Sequence, residues 1–123
     1  MSLDSESVFC YNARGYFGLK KAKHDKVKCK PDVLDDMNKV IELSDDKLLT
    51  SMVYRDRAEY YLYSNEPDKA YDDLQKAIDL NNNDGRIYFF MARYYDLKGN
   101  KKEYERCIEK MKKCRFIPDS SDY

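Results

Sequence analysis

The side chains best able to make or break bonds in this chain are one histidine, four cysteines and scattered carboxylates, and their spacing argues against a reactive centre. His24 stands alone, so no second imidazole exists to complete a zinc site or to orient a general base. Cys10, Cys29, Cys107 and Cys114 form no C-x-x-C pair and read as buried free thiols. Cys107 and Cys114 share one helical face, but seven residues of helix separate them by roughly 10 Å, beyond disulfide reach. No glycine-rich phosphate loop and no His-Glu-x-x-His motif is present. The carboxylate pair Asp72-Asp73 reads as a solvated helix face. The residues therefore predict a chain that is not an enzyme and that carries no metal and no cofactor.

What remains is the chemistry of recognition. Lys20, Lys21, Lys23, His24, Lys26, Lys28 and Lys30 form a basic run suited to phosphates of nucleic acid or anionic lipid. No aromatic side chain interleaves it to stack on bases, and Asp32, Asp35 and Asp36 follow closely. The run is expected to be a solvated loop, which makes nucleic acid an unfavoured partner and a basic-loop contact the third-ranked reading. The 23 basic and 23 acidic side chains cancel, so no global charge points to a polyanion. No stretch of 18 or more apolar residues predicts a membrane span. Residues 1–10 lack the basic-then-apolar layout of a signal peptide, and a cytoplasmic setting is expected.

The elements that would position a recognition surface are legible from an internal echo. Tyr54, Ala58, Tyr61, Ala70, Leu74 and Ala77 recur 34 residues later as Tyr88, Ala92, Tyr95, Tyr104, Ile108 and Met111. A period of that length is one helix–turn–helix unit. A further copy precedes them: Asp35-Asp36-Met37-Asn38-Lys39-Val40-Ile41-Glu42-Leu43 mirrors residues 72–80 at an offset of 37. Upstream, Ala13-Arg14-Gly15-Tyr16 aligns with Ala92-Arg93-Tyr94-Tyr95, with Phe9 as the leading aromatic, so the first turn is extended. Helices are expected from Ser5 or Ser7 to about Lys23, from Pro31 to about Leu43, from 44–46 to about Tyr63, from Pro67 to Leu80, up to Gly99-Asn100, and from Lys101 to Arg115. Asn81 to Gly85 is expected to end the fourth helix in a left-handed cap. Residues 119–123 read as a disordered tail.

This pattern resembles the tetratricopeptide repeat, whose unit places a large aromatic, then Leu-Gly, Tyr, Ala, Phe and Pro. Tyr54, Arg57-Ala58, Tyr61, Ala70 and Leu74 carry the resemblance in one copy, and Tyr88, Met91-Ala92, Tyr95, Tyr104 and Ile108 in the next. The resemblance implies an all-α fold, a right-handed superhelical stack of three antiparallel hairpins at about residues 6–43, 51–84 and 85–118, in one domain over 1–118.

The resemblance further implies a concave groove lined by the first helix of each hairpin, binding a protein or peptide segment as an adaptor or cochaperone-like module. The groove positions would be Arg14 and Phe17, then Met52, Arg55, Glu59 and Tyr63, then Arg86, Phe89, Phe90 and Arg93. Arginine among aromatics suits a ligand with an apolar side chain and an acidic group. The chaperone-carboxylate clamp of some members is not matched: its positions fall on Cys10, Arg14, Asp56, Arg86 and Phe90, and Asp56 would repel a carboxylate. The alternative is a structural scaffold or homodimer formed through the sixth helix, where Tyr104, Cys107, Ile108, Met111 and Cys114 make an apolar stripe with no following helix to cover it.

Overall fold

The computed structural model describes residues 3–25 and 31–118, with the backbone alone described at 3–10, 12–13 and 31–32. Among the described residues there are six α-helices and no strand: α1 Leu3–Asp25, α2 Pro31–Leu43, α3 Lys47–Tyr63, α4 Pro67–Leu80, α5 Gly85–Leu97 and α6 Lys101–Lys113. The basic run therefore divides. Lys20, Lys21, Lys23 and His24 belong to the last turns of α1 rather than to a loop, and Cys29 and the lysines at 26, 28 and 30 lie outside the described residues, as does the tail from 119.

Local chemistry sets the helix ends. The Asp46 carboxylate accepts from the N–H groups of Leu48 and Leu49 at 2.9 and 3.2 Å. Asp84 and Asn100 do the same for Arg86 and Glu103, relieving donors that have no partner inside the helix. Pro67 opens α4 at a position where its missing N–H costs little. The turn after α3 recurs after α5. Glu66 N–H reaches the Tyr61 carbonyl at 2.7 Å, and Asn100 N–H reaches that of Tyr95 at 2.9 Å. Asn65 and Gly99, 34 apart, both take left-handed backbone, which glycine and asparagine tolerate best. The sequence echo is thus reproduced in backbone geometry. The left-handed cap expected at 81–85 is not there. Asn81 is extended, and Gly85 is buried inside the first turn of α5, where the Phe116 side chain leaves no room for a Cβ.

Three antiparallel pairs form: α1 with α2, α3 with α4, α5 with α6. Between pairs α2 meets α3 and α4 meets α5, and the first helices also touch in order, α1 on α3 and α3 on α5. One apolar core joins the second and third pairs around Ala58, Leu74, Ala77, Ile87 and Phe90, and a second joins the first pair to α3 around Leu19, Met37, Val40 and Val53.

Each of the first two pairs is bolted by one ion pair across its seam. Arg14 grips Asp36 through Nε and Nη2 at 3.0 and 2.6 Å, and Arg57 grips Asp73 with both contacts at 2.7 Å. The third pair holds Met91 and Cys107 at the positions 34 residues on, both buried. The two ion pairs align the first pair of helices with the second in a register different from that of Ala13 with Ala92. Arg14 corresponds to Arg57, so Gly15, not Ala13, stands where Ala58 does. A Cβ on Gly15 would lie 3.2 Å from Met37 and 3.4 Å from Asp36, and one on Gly18 would lie 2.5 Å from Val33. A Cβ at Gly18 would collide with the Val33 side chain, whereas one at Gly15 would require Met37 to give by a few tenths of an ångström.

Replacing Arg57 with Met leaves the buried Asp73 carboxylate without its cation, and the loss in unfolding free energy should be about 3 kcal/mol or more. Adding Asp73→Cys, which copies the third pair, should recover most of that loss. Urea unfolding of the two variants under reducing conditions checks it.

Candidate functional site

The surface shared by α1, α3 and α5 carries most of the residues expected to line a groove, and it divides them sharply. Met52 is 39% exposed and Phe17 67% exposed. Tyr63, Arg86 and Arg93 are half-buried. Arg55, Glu59, Phe89 and Phe90 are buried, which corrects the exposure expected for them. Phe90 is fully enclosed in the core. Phe89 is covered by Phe116, whose ring centroid lies 6.1 Å away. Arg14 does not face this surface with the others, since its guanidinium is engaged by Asp36 of α2. The physical reason is common to all: helices that stack closely turn part of each first helix inward, and helical spacing alone does not tell the inward third from the outward third.

Beneath the exposed residues lies a network of charges. Glu59, 1% exposed, accepts from Lys20 at 3.2 Å and from Lys23, both on α1. Burial lowers the pKa of Lys23, with Glu59 opposing that and Lys20 and Arg93 adding to it. Arg93 of α5 therefore stands in the field of the same group. Lys20 and Lys23 of α1 thus pair with Glu59 of α3, and Asp56 feels the charges of both Glu59 and Lys20. One turn earlier on α3, Arg55 holds Asp84 at 2.5 Å and Asp56 at 3.4 Å. Arg55 Nε is buried without a hydrogen-bond partner. Burial pushes the Asp56 carboxyl up to about 6; Arg55 pulls it down and Glu59 pushes it up again. Sequence reasoning placed Lys20 and Lys23 in a solvated loop. Their spacing of three, which puts both on one helical face, was the available signal.

The expected sixth-helix interface is also divided. Cys107 and Met111 are buried against α5, and Tyr104, Ile108 and Cys114 are half-buried. Cys107 and Cys114 are free thiols, and burial raises the pKa of Cys107. The chain folds back after α6, with Phe116 against Gly85 and Phe89 and under the Arg86 guanidinium at 5.1 Å, whereas Ile117 points to solvent. This return leaves a cavity of about 240 Å³ between α5 and α6, lined by Phe89, Ala92, Arg93, Asp96, Tyr104, Ile108, Met111 and Pro118.

Among the described residues no cluster of three or more His, Cys, Asp or Glu side chains is placed to hold a metal ion, and no helix is long and apolar enough to cross a membrane. No family model, no curated protein and no solved structure matches this chain.

The buried Asp56 has a thermodynamic consequence. Its folded pKa of about 6 lies above the ordinary 3.8, so the native state holds this proton more tightly than the unfolded chain. The stabilisation from that proton is complete below pH 3.8 and is lost as pH rises through 6. A carboxyl raised that far gains roughly 3 kcal/mol of pH-dependent stability. The stability difference between wild type and Asp56→Asn should therefore change in favour of the variant by up to that amount between pH 4 and pH 7.5, measured by urea unfolding at several pH values.

Proposed function

We propose that this chain is a protein–protein interaction module of tetratricopeptide-repeat type, which binds a peptide or protein segment along the surface formed by α1, α3 and α5. The recurrence of one turn geometry after α3 and α5, together with the ordered contact of first helix on first helix, supports the repeat reading. Stacks of this kind present extended surfaces to partners. The observation that carries the binding reading is the close placement of Lys20 and Lys23 of α1, both on Glu59 of α3, with Arg93 of α5 in the field of Lys23.

A surface that carries these cations from two helices favours a segment bearing a carboxylate or another acidic group. Met52, exposed on α3, supplies an adaptable apolar contact beside it. The ligand is then an extended or helical segment with an apolar side chain near an acidic one. Arg86 contributes less than its position in sequence suggests, because its guanidinium stacks on Phe116. The module acts as an adaptor, bringing a partner to whatever it is itself attached to or assembled with.

A displayed random-peptide library panned on the protein tests this reading. Selected peptides should combine an acidic and an apolar residue. Arg93→Glu and Met52→Glu should each weaken their binding at least tenfold, read by fluorescence anisotropy, while Lys113→Glu on α6 should leave it unchanged. Failure to select any peptide, or selection of peptides indifferent to both substitutions, would overturn the assignment of the surface.

A further inference from the structure

The side of α5 assigned to recognition is already occupied by a piece of the same chain. Arg86, Phe89 and Arg93 follow one another at helical spacing and share one side of α5. The segment after α6 returns along that side. Phe116 lies against Gly85, Phe89 and the Arg86 guanidinium, and Pro118 lines the α5–α6 cavity together with Phe89 and Arg93. An arginine and an aromatic of the kind that dominate binding surfaces, Arg86 and Phe89, are therefore covered from within.

The place that Phe116 takes is shaped for a ring. A Cβ on residue 85 would fall 2.3 Å from the Phe116 Cβ and 3.2 Å from its Cγ, so the side chain enters because that residue is glycine. The Phe89 ring centroid lies 6.1 Å from that of Phe116, and the Arg86 Cζ lies 5.1 Å from it, within the range of a cation–π contact. At the position 34 residues before Gly85 stands Ser51, whose hydroxyl donates to the Ala77 carbonyl at 2.8 Å. The second hairpin thus has a side chain where the third has a seat. The returning segment is otherwise lightly held. Arg115 takes left-handed backbone, which disfavours a residue with a Cβ, Phe116 is half-buried, and Ile117 is 88% exposed.

We propose that residues 115–118 form an autoinhibitory strap on the binding surface. Phe116 stands in for a side chain of the partner, and the partner segment must carry an aromatic residue that displaces it. This device rests on the proposed peptide-binding role of the α1–α3–α5 surface and adds its regulation. Only the fraction of the protein with the strap open is competent, and the apparent affinity for a partner is reduced to that fraction. Release of the strap also frees the Arg86 guanidinium from Phe116, which places it beside the incoming ring on the same side of α5 as Arg93.

Nuclear magnetic resonance of isotope-labelled protein tests the strap, with a capped tetrapeptide that copies residues 115–118 as the probe. Phe116→Ser should bind it at concentrations on the order of millimolar, the effective concentration of a short tether, with shifts at the Phe89 amide and the Arg86 Nε–H. Wild type should need roughly tenfold more. A tetrapeptide with serine in place of phenylalanine should bind neither. Adding Gly85→Ala to Phe116→Ser should abolish binding, because the ring and the new Cβ claim the same space. Equal binding to wild type and Phe116→Ser overturns the inference. So does tolerance of Gly85→Ala, or no binding to a Phe116→Ser protein whose other amide signals match wild type. The wild-type chain gives a second test that needs no variant. Peptides selected by panning should contain an aromatic residue, and their binding should abolish the nuclear Overhauser contacts between Phe116 and Phe89. Selected peptides that respond to Arg93→Glu yet leave those contacts in place overturn the strap and spare the binding surface. Failure of both wild type and Phe116→Ser to select any peptide overturns both.

Discussion

The close approach of the two helices in each hairpin is the constraint on which the other features rest. Gly15 and Gly18 on α1, and Ala58, Ala70 and Ala77 in the second pair, carry little or no side chain where their partner helix passes. Close approach excludes water from the seam, and a charge left in the seam must then meet its partner there. Asp36 and Asp73 are buried for this reason, and each is held by an arginine from the facing helix. The third pair has Met91 and Cys107 at the corresponding positions, both buried. An ion pair and an apolar pair fill the same position because the backbone spacing sets only the space available, and either chemistry satisfies it.

The same logic governs the surface between first helices. α3 lies between α1 and α5, so the side of α3 that would face solvent in an isolated hairpin is largely enclosed. Glu59 and Asp56 are charged groups trapped by this enclosure. Glu59 is satisfied by two lysines from α1, and it ties the first hairpin to the second. Asp56 has only a long contact to Arg55, itself shared with Asp84, and so it holds its proton to higher pH. Buried ionic groups of this sort contribute little net stability compared with an apolar replacement.

After α6 the chain returns onto the last hairpin. Phe116 sits against Gly85 and Phe89 and covers part of the last hairpin, which is why Met111 and Phe89 are buried although nothing helical follows among the described residues. Arg115, left-handed and without the freedom of glycine, makes the bend that lets this happen. Among the described residues a cavity of about 240 Å³ remains between α5 and α6.

The sequence alone determined the helical class, the positions of the six helices to within a few residues, and the 34-residue spacing that the turns after α3 and α5 reproduce. These depend on local features: apolar periodicity, capping by Asp46, Asp84 and Asn100, and the turn residues Asn65 and Gly99. Tertiary structure alone decided which groove candidates are accessible. Phe89, Phe90, Arg55 and Glu59 have the same helical spacing as Met52 and Arg93, and only the placement of neighbouring helices separates buried from exposed. It also decided that Arg14 pairs with Asp36 as Arg57 does with Asp73, because an arginine reaching across to a carboxylate 22 residues away leaves no mark in periodicity. The role of Lys20 and Lys23 was hidden for the same reason: a lysine at a helix end reads as solvated until a buried carboxylate from another helix is brought within its reach.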